Sequence, residues 1–172
     1  VDIDGDLAAA FRAGFASELD VAVNPLVALR NKRHEWRFSN ASIVQAKANA
    51  RFHYGMGRNF YRPWLDVPSM TYTCAVYPNA DATLEEAQEN KYRLVFDKLR
   101  LQPGDRLLDV GCGWGGMVRY AAHHGVKTIG VTLSKEQAAW AQKAIADEGL
   151  TDLAEVRHGD YRDITETKFD AV

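Results

Sequence analysis

Leu107-Leu-Asp-Val-Gly-Cys-Gly-Trp-Gly-Gly116 joins an apolar strand to a glycine-rich turn. Residues 117–124 continue it as a predicted helix. A turn of this kind lets the backbone approach a ligand at a helix N-terminus, where free N–H groups and the positive end of the helix dipole face it. The pattern therefore predicts a site for a nucleotide-like cofactor.

The glycines of this turn fit two cofactor patterns. Gly111, Gly113 and Gly116 satisfy the G-x-G-x-x-G pattern of dinucleotide sites, whereas Asp109 at the start of the turn satisfies the acidic-G-x-G-x-G pattern of S-adenosylmethionine sites. A nicotinamide site also needs an acidic residue about 20 positions further on, to hold the ribose hydroxyls. Thr132 stands at the end of the next predicted strand with no carboxylate beside it. This weakens the dinucleotide interpretation and also departs from the commonest methyltransferase pattern.

Gln137, one helical turn after Thr132, is a candidate to contact the ribose instead. Two local interpretations stay open beside these functional ones. Ser134 and Gln137 also have the spacing of a helix capping box, and Asp109 at a strand end can fix the glycine turn by accepting its N–H groups.

The composition indicates one sizeable core with a helical appendage, since the chain has 172 residues of which 47% are hydrophobic. A net charge of -2 gives no overall attraction to nucleic acid, so no nucleic-acid partner is expected. Cys74 and Cys112 have no metal-ligand spacing, so no metal site is expected. Because Cys112 lies inside the glycine turn, no structural disulfide is expected either, which favours the reducing cytoplasm. The chain opens on Val1, and the pattern stops inside a strand at Val172. We therefore expect a piece of a longer protein that lacks its C-terminal strands.

Helical and strand patterns alternate in the second half of the chain. This order predicts an α/β fold with a doubly wound, mainly parallel sheet, preceded by a helical N-terminal segment. Residues 53–78 are predicted to form an aromatic-rich loop. We expect three regions, 1–50, 51–80 and 81–172. The predicted helices cover residues 7–19, 25–36, 40–50, 84–99, 115–124 and 135–148, and the predicted strands cover residues 106–110, 127–131, 153–157 and 169–172. Leu19 is the last apolar position of the first helix, Asn24-Pro25 is the predicted cap and first-turn proline of the second, and Asn40 is a predicted cap of the third. Thr83-Leu-Glu-Glu86 is a predicted capping box at the start of the fourth helix.

Three separated blocks resemble the cyclopropane-fatty-acid synthases and the related mycolic-acid and lipid methyltransferases. The first runs from His53 to Asp66 as H-Y-G-M-G-R-N-F-Y-R-P-W-L-D, and the second is M-T-Y-T-C-A from Met70 to Ala75, followed by T-L-E-E-A-Q from Thr83. The glycine-rich turn and the segment Gly130-Val-Thr-Leu-Ser-Lys-Glu-Gln137 form the third. The resemblance covers residues 50–172 and implies a Rossmann-like class I methyltransferase domain in residues 81–172.

The resemblance also implies site residues and a cofactor, S-adenosylmethionine. Residues that contact the cofactor would be Tyr72, Thr73, Asp109, Gly111, Gly113, Thr132, Leu133, Gln137, Asp160 and Tyr161. Cys74 would help to hold a bicarbonate ion near the transferred methyl group, and His53 and Tyr61 would belong to a segment that closes over the cofactor. Gly55, Arg58 and Asn59 depart from the family pattern in that segment, which puts its hydrogen bonds in question.

The reaction that the resemblance implies is methyl or methylene transfer to the double bond of an unsaturated phospholipid acyl chain, through a carbocation. Aromatic faces stabilise a buried cation by about 2 kcal/mol. The alternative explanation for each aromatic side chain is packing in the core or against a loop. For Cys74 the alternative is a buried, inert thiol with no role in the reaction. The aromatic residues in question are Phe52, Tyr54, Phe60, Tyr61, Trp64, Tyr72 and Tyr77.

A basic stretch offers a second partner hypothesis. Arg30, Lys32, Arg33 and Arg37 interleave with Trp36 and fit peripheral contact with the anionic inner face of a membrane. A solvated helix face explains the same pattern and is the favoured interpretation. A homo-oligomer, a methyltransferase for another small acceptor, an NAD(P)-dependent oxidoreductase and a non-catalytic fragment remain open alternatives.

Overall fold

The computed structural model describes residues 6–17, 24–39, 42–54 and 56–172. The chain divides into two units, Val1–Ser42 and Ile43–Val172. The helices are α1 (Leu7–Ala16), α2 (Pro25–Phe38), α3 (Ile43–Tyr54), α4 (Arg58–Tyr61), α5 (Leu84–Leu99), α6 (Gly116–His123) and α7 (Lys135–Asp147), and the strands are β1 (Arg106–Val110), β2 (Lys127–Thr132) and β3 (Ala154–His158).

Local caps explain where the first helices begin. Asp6 accepts a hydrogen bond from the backbone N–H of Ala9 at α1, and Asn24 caps α2 by accepting from Leu26 N at 2.9 Å. The predicted cap and first-turn proline of α2 are therefore confirmed, although the helix extends two residues further than expected, to Phe38. The predicted apolar position Leu19 lies outside the described residues.

The segment predicted as a loop contains more helix than expected. α3 runs to Tyr54 rather than ending near residue 50, and α4 forms one short turn. The predicted α3 cap at Asn40 lies outside the described residues. After α4, Asp66 organises the chain, because its carboxylate accepts from the backbone N–H groups of Ser69 at 2.9 Å and Thr71 at 2.7 Å. Asp66 is 1% exposed, so these bonds replace its hydration.

α5 begins with the predicted capping box. Thr83 Oγ1 accepts from Glu86 N at 3.2 Å, and Glu86 Oε2 accepts from Thr83 N at 2.8 Å. The pair satisfies two backbone donors that have no partner inside the helix. The start of α5 is thereby fixed at Leu84.

The three strands form a parallel sheet in the order β1-β2-β3. β1 matches the predicted strand residue for residue, and β3 is shifted by one. Residues 169–172 form only an isolated parallel bridge between Ala171 and Leu107, in place of the predicted strand. Even so, Leu108 N donates to Ala171 O on one edge of β1, while Gly111 N donates to Val131 O of β2 on the other.

The sheet therefore extends to both sides of β1, as in the predicted Rossmann-like fold. In open α/β sheets of this kind, ligands bind outside the carboxyl ends of the strands, where the strand order reverses. α6 and α7 cover the sheet through a core of small and branched side chains. That core consists of Cys112, Val118, Ala122, Ala138, Ala141, Ile145, Leu150, Ala154 and Val156.

Candidate functional site

The glycine turn, residues 111–116, leaves β1 at the point where the strand order reverses. Gly111, Gly113 and Gly115 have φ values of 80°, 55° and 77°, a region that side chains with a Cβ rarely adopt. The N–H groups of Gly111 and Cys112 both donate to Val131 O, at 2.9 and 3.0 Å. These bonds anchor the turn to β2, and Gly115 N donates to Cys112 O within the turn at 2.9 Å.

Two glycines allow close packing around this turn. A Cβ on Gly116 would lie 2.0 Å from the Tyr92 hydroxyl oxygen, so α5 approaches the first residue of α6 through this gap. A Cβ on Gly130 would lie 2.7 Å from Val118 Cγ2 and 2.9 Å from Cys112 Sγ. Only a residue without a side chain lets α6 and the turn sit this near β2.

A cavity of about 360 Å³, here the β1 cavity, opens between the glycine turn, α5 and the segment that follows Asp66. This volume falls within the range of small-molecule sites. Its lining includes five of the predicted cofactor contacts: Tyr72, Thr73, Asp109, Gly113 and Gln137. The sequence blocks that carry these residues are far apart in the chain, and the fold brings them to one space.

Asp109 contributes a carboxyl group to the β1 cavity. Burial raises its pKa to about 6, from an ordinary value near 3.8. No hydrogen bond within the described residues reaches this carboxylate, so the structure gives no support to the interpretation that it fixes the glycine turn.

Gln137 reaches the β1 cavity from α7. Its Oε1 accepts from Thr132 Oγ1 at 2.8 Å, and the same hydroxyl accepts from Ser134 N at 3.2 Å. Ser134 does cap α7 by accepting from Gln137 N, but the Gln137 side chain turns to Thr132 and does not complete a capping box. Thr132 therefore orients the Gln137 side chain, which lines the cavity.

Lys91 and Trp114 also line the β1 cavity, although sequence reasoning missed both. Lys91 Nζ donates to Thr73 Oγ1. Trp114 is 2% exposed, and its Nε1 has no hydrogen-bond partner among the described residues. Gln88, Lys91 and Val95 recur at helical spacing on α5, but this spacing by itself did not indicate a ligand site.

Most of the predicted aromatic residues pack against one another. Tyr61 is 1% exposed, and its ring lies 5.3 Å from Tyr72 and 6.1 Å from Trp114 between centroids. Trp64 joins the same cluster at 5.4 Å from Tyr72. Among the seven aromatic residues, the described lining of the β1 cavity includes Tyr54 and Tyr72 alone. The cluster therefore packs against the Tyr72 ring outside the described cavity lining.

The remaining candidates lie outside the described lining of the β1 cavity. Cys74 is exposed, so the interpretation as a buried thiol is wrong for it. Asp160 is held by Arg162, whose side chain and backbone bonds lower the Asp160 pKa to about 2. Tyr161 is exposed beside it, and Leu133 follows Thr132 in the chain. His53 is in the last turn of α3, but its side chain and Gly55 lie outside the described residues.

The basic residues of the membrane hypothesis all lie on α2. Arg30, Lys32, Arg33 and Arg37 are exposed, and Trp36 among them is 84% exposed. Within the described residues, no helix combines the length and the apolar character that crossing a membrane would require.

Comparison with known proteins identifies the family. The family described as mycolic acid cyclopropane synthetase matches residues 41–172. A probable fatty acid methyltransferase of Mycobacterium tuberculosis is 64% identical over 144 residues, which are 81% of this chain and 34% of that protein. The cyclopropane-fatty-acyl-phospholipid synthase of Escherichia coli is 37% identical over 159 residues, which are 92% of this chain and 37% of that protein.

A solved structure gives the same answer for the fold. The crystal structure of a mycolic acid cyclopropane synthase complexed with S-adenosylhomocysteine and CTAB superposes with a TM-score of 0.66 at 40% identity, over 70% of this chain and 42% of that one. The chain spans about a third of the length of the curated relatives that it matches. These matches confirm the resemblance drawn from the three sequence blocks and the Rossmann-like methyltransferase fold. The chain belongs to the mycolic acid cyclopropane synthetase family.

Proposed function

We propose that this chain is the cofactor-binding part of an S-adenosylmethionine-dependent methyltransferase that modifies the double bond of unsaturated phospholipid acyl chains. The observation that carries the proposal is the β1 cavity, where Tyr72, Thr73, Asp109, Gly113 and Gln137 meet. The family relatives are named for cyclopropane formation and fatty acid methylation.

The cavity fits S-adenosylmethionine by the chemistry of its donors and acceptors. The lining combines the Asp109 carboxyl group with the Gln137 side chain amide, which suits a ligand that has both donors and acceptors, as a ribose and an amino-acid group do. Tyr72 and Thr73 would border the methionine part, and Gly111 and Gly113 would let the backbone approach it. Thr132 and Leu133 would lie towards the ribose and adenine, with Asp160 and Tyr161 at the adenine edge.

Bound S-adenosylmethionine supplies an electrophilic methyl group on a sulfonium. An alkene is a weak nucleophile, so the chain must hold the two reactants in line, an effect that can supply roughly 7–11 kcal/mol of the barrier. The alkene π pair would form the new C–C bond while the C–S pair stayed on sulfur, which would leave a carbocation on the neighbouring carbon of the acyl chain. Loss of a proton from the transferred methyl group to a base, bicarbonate by resemblance, would close the ring, and the same loss after a 1,2-hydride shift would leave a methylene group.

Three residues are proposed for this second stage. Cys74 would help to hold the bicarbonate ion, and its exposed thiol is accessible for that role. Tyr61 would act in the closing segment by fixing the ring of Tyr72. His53 would belong to the same segment, at the end of α3.

The substrate is tested by analysing phospholipid fatty acids. Cells that express the full-length gene are expected to contain acyl chains that have gained one carbon, and a substitution of Gly113 by Val should abolish that gain. Unchanged fatty acids in cells with soluble, cofactor-binding protein would contradict the lipid substrate and leave a methyltransferase for another acceptor.

Peripheral membrane contact through α2 is part of the same proposal, with a cytoplasmic location at the inner membrane face. α2 has no buried side chain among its described residues, so its basic groups are accessible to anionic headgroups. Replacing Arg30, Lys32, Arg33 and Arg37 by Gln is expected to reduce co-sedimentation with anionic vesicles. Unchanged co-sedimentation would show that the basic stretch is only a solvated helix face.

A further inference from the structure

α5 holds Thr73 by two separate contacts. Gln88 Nε2 donates to the Thr73 carbonyl oxygen at 2.9 Å, and Lys91 Nζ donates to the Thr73 hydroxyl. Gln88 and Lys91 are three residues apart and so lie on one face of the helix. Further along, Val76 N donates to Ala87 O at 3.2 Å. The segment 73–76 is therefore fastened to α5, and α5 is itself fixed against α6 at Gly116.

The contact from Lys91 sets the direction of the Thr73 hydroxyl proton. An ammonium group can only donate, so Thr73 Oγ1 is the acceptor in this bond. The Thr73 O–H is then left to donate elsewhere, and Thr73 lines the β1 cavity. Lys91 thereby leaves the Thr73 hydroxyl proton available to donate to a ligand, and its own ammonium group adds a positive charge to the same lining.

Lys91 brings a positive charge to the lining of the β1 cavity. Among the described residues no ion pair holds its ammonium, which lies 5.1 Å from the centre of the Tyr92 ring. Burial lowers the Lys91 pKa, while the fields of Asp66 and Cys74 act in the opposite direction. A half-buried cation with a single neutral hydrogen-bond acceptor is suited to bind an anionic group of a ligand.

The β1 cavity thus presents a cation, Lys91, and an anion, Asp109, to the same ligand. The amino-acid end of S-adenosylmethionine is a zwitterion, with one carboxylate and one ammonium. We infer that Lys91, together with the Thr73 hydroxyl, binds the carboxylate of the cofactor's methionine part, an assignment that rests on the proposed function. Asp109 is then left for the donors of the ligand.

The assignment predicts discrimination between ligands with and without a carboxylate. Substitution of Lys91 by Met removes the charge and leaves most of the stem, and should weaken binding of S-adenosylhomocysteine by about 10- to 100-fold. Binding of the decarboxylated analogue of S-adenosylhomocysteine should change by less than about 3-fold, because the lost partner is absent from that ligand. Lys98→Met, on the exposed side of α5, is the matched control and should alter neither affinity.

The test is calorimetric titration of both ligands into the 172-residue chain and its variants. An equal loss for the two ligands, or no loss for either, would contradict the role of Lys91. Lys91→Gln keeps a donor to Thr73 without the charge. If circular dichroism shows that Lys91→Met does not fold, the two ligands are compared on Lys91→Gln instead. If the unmodified chain binds neither ligand, the proposed function itself fails. If the unmodified chain binds both ligands and substitution of Lys91 changes neither affinity, this assignment alone is overturned.

Bicarbonate is a second anion of similar shape, and the same titrations separate it from the cofactor carboxylate. In buffer depleted of carbon dioxide, the loss caused by Lys91→Met should remain in full. A loss that appears only when bicarbonate is added would assign Lys91 to that ion and contradict the inference.

Discussion

Asp109 makes ligand binding depend on pH at the scale of a single residue. Burial raises its pKa to about 6, so the carboxylate is largely protonated at pH 5 and largely ionised at pH 7. Since the ionised form accepts hydrogen bonds from a ligand, affinity for S-adenosylhomocysteine should rise as pH increases from 5 to 7 and then level. Calorimetry at four pH values measures this, and a flat affinity across the range would contradict the role of Asp109.

The same carboxyl group affects stability in the opposite direction. Between pH 4 and pH 6 the native state keeps a proton that the unfolded chain has released, so the contribution of Asp109 to the free energy of unfolding falls as pH rises through this window. Asp109→Asn should therefore leave the stability at pH 7 unchanged or raise it by up to about 2 kcal/mol. Affinity should fall about 10-fold and lose its pH dependence. Urea unfolding beside the titration separates the two effects, and a strongly destabilised variant would show that Asp109 is structural.

Position 130 requires glycine for a steric reason alone. Its missing side chain lets Val118 and Cys112 approach β2, and an added Cβ would lie within 2.9 Å of both. Gly130→Ala should lower the free energy of unfolding by about 1–3 kcal/mol, since the buried neighbours must shift. Gly159→Ala is the control, because a Cβ there meets nothing within 4 Å. Equal urea midpoints for the two variants would contradict the close packing.

At the scale of the element, the start of α5 depends on its capping box. Thr83→Ala removes the acceptor for Glu86 N and should lower the free energy of unfolding by about 1 kcal/mol. Thr151→Ala, at an exposed turn position, should change it by less than about 0.5 kcal/mol. If Thr83→Ala is as stable as the control, the box contributes nothing.

Elements with a strong local signal were predictable from the sequence. β1 and α5 were found because an apolar run, a capping box and a glycine turn each act over a few residues. Residues 169–172 have a strand-like local pattern, but a strand needs sheet pairing along its length, and the pairing here is limited to one bridge between Ala171 and Leu107.

Contacts between distant residues account for what the sequence did not reveal. The resemblance supplied Tyr72 and Thr73 as candidates, the absence of an acid beside Thr132 had already indicated Gln137, and the fold brings the three to one cavity. Lys91 joins them because it contacts Thr73, 18 positions earlier in the chain. No pattern within one helix predicts such a pair. Asp66 is similar, since its role in turning the chain towards Thr71 follows from geometry rather than from composition.

At the scale of the whole molecule, strand order explains where the site lies. The sheet extends to both sides of β1, and the glycine turn, α5 and α7 all reach the space above that strand. The aromatic cluster around Tyr61 packs against Tyr72, which lines this space. The β1 cavity is thereby built from segments that three separate sequence blocks provide.

The β1 cavity is proposed to bind S-adenosylmethionine rather than a dinucleotide, although the glycines alone fit both patterns. Thr132 at the end of β2 offers a hydroxyl that is already bonded to Gln137, and no carboxylate stands there for the ribose of a nicotinamide cofactor. Calorimetric titration of the 172-residue chain with S-adenosylhomocysteine and, separately, with NAD and NADP tests this directly. We predict saturable binding of S-adenosylhomocysteine and none of the dinucleotides. Tighter binding of NAD or NADP would contradict the account.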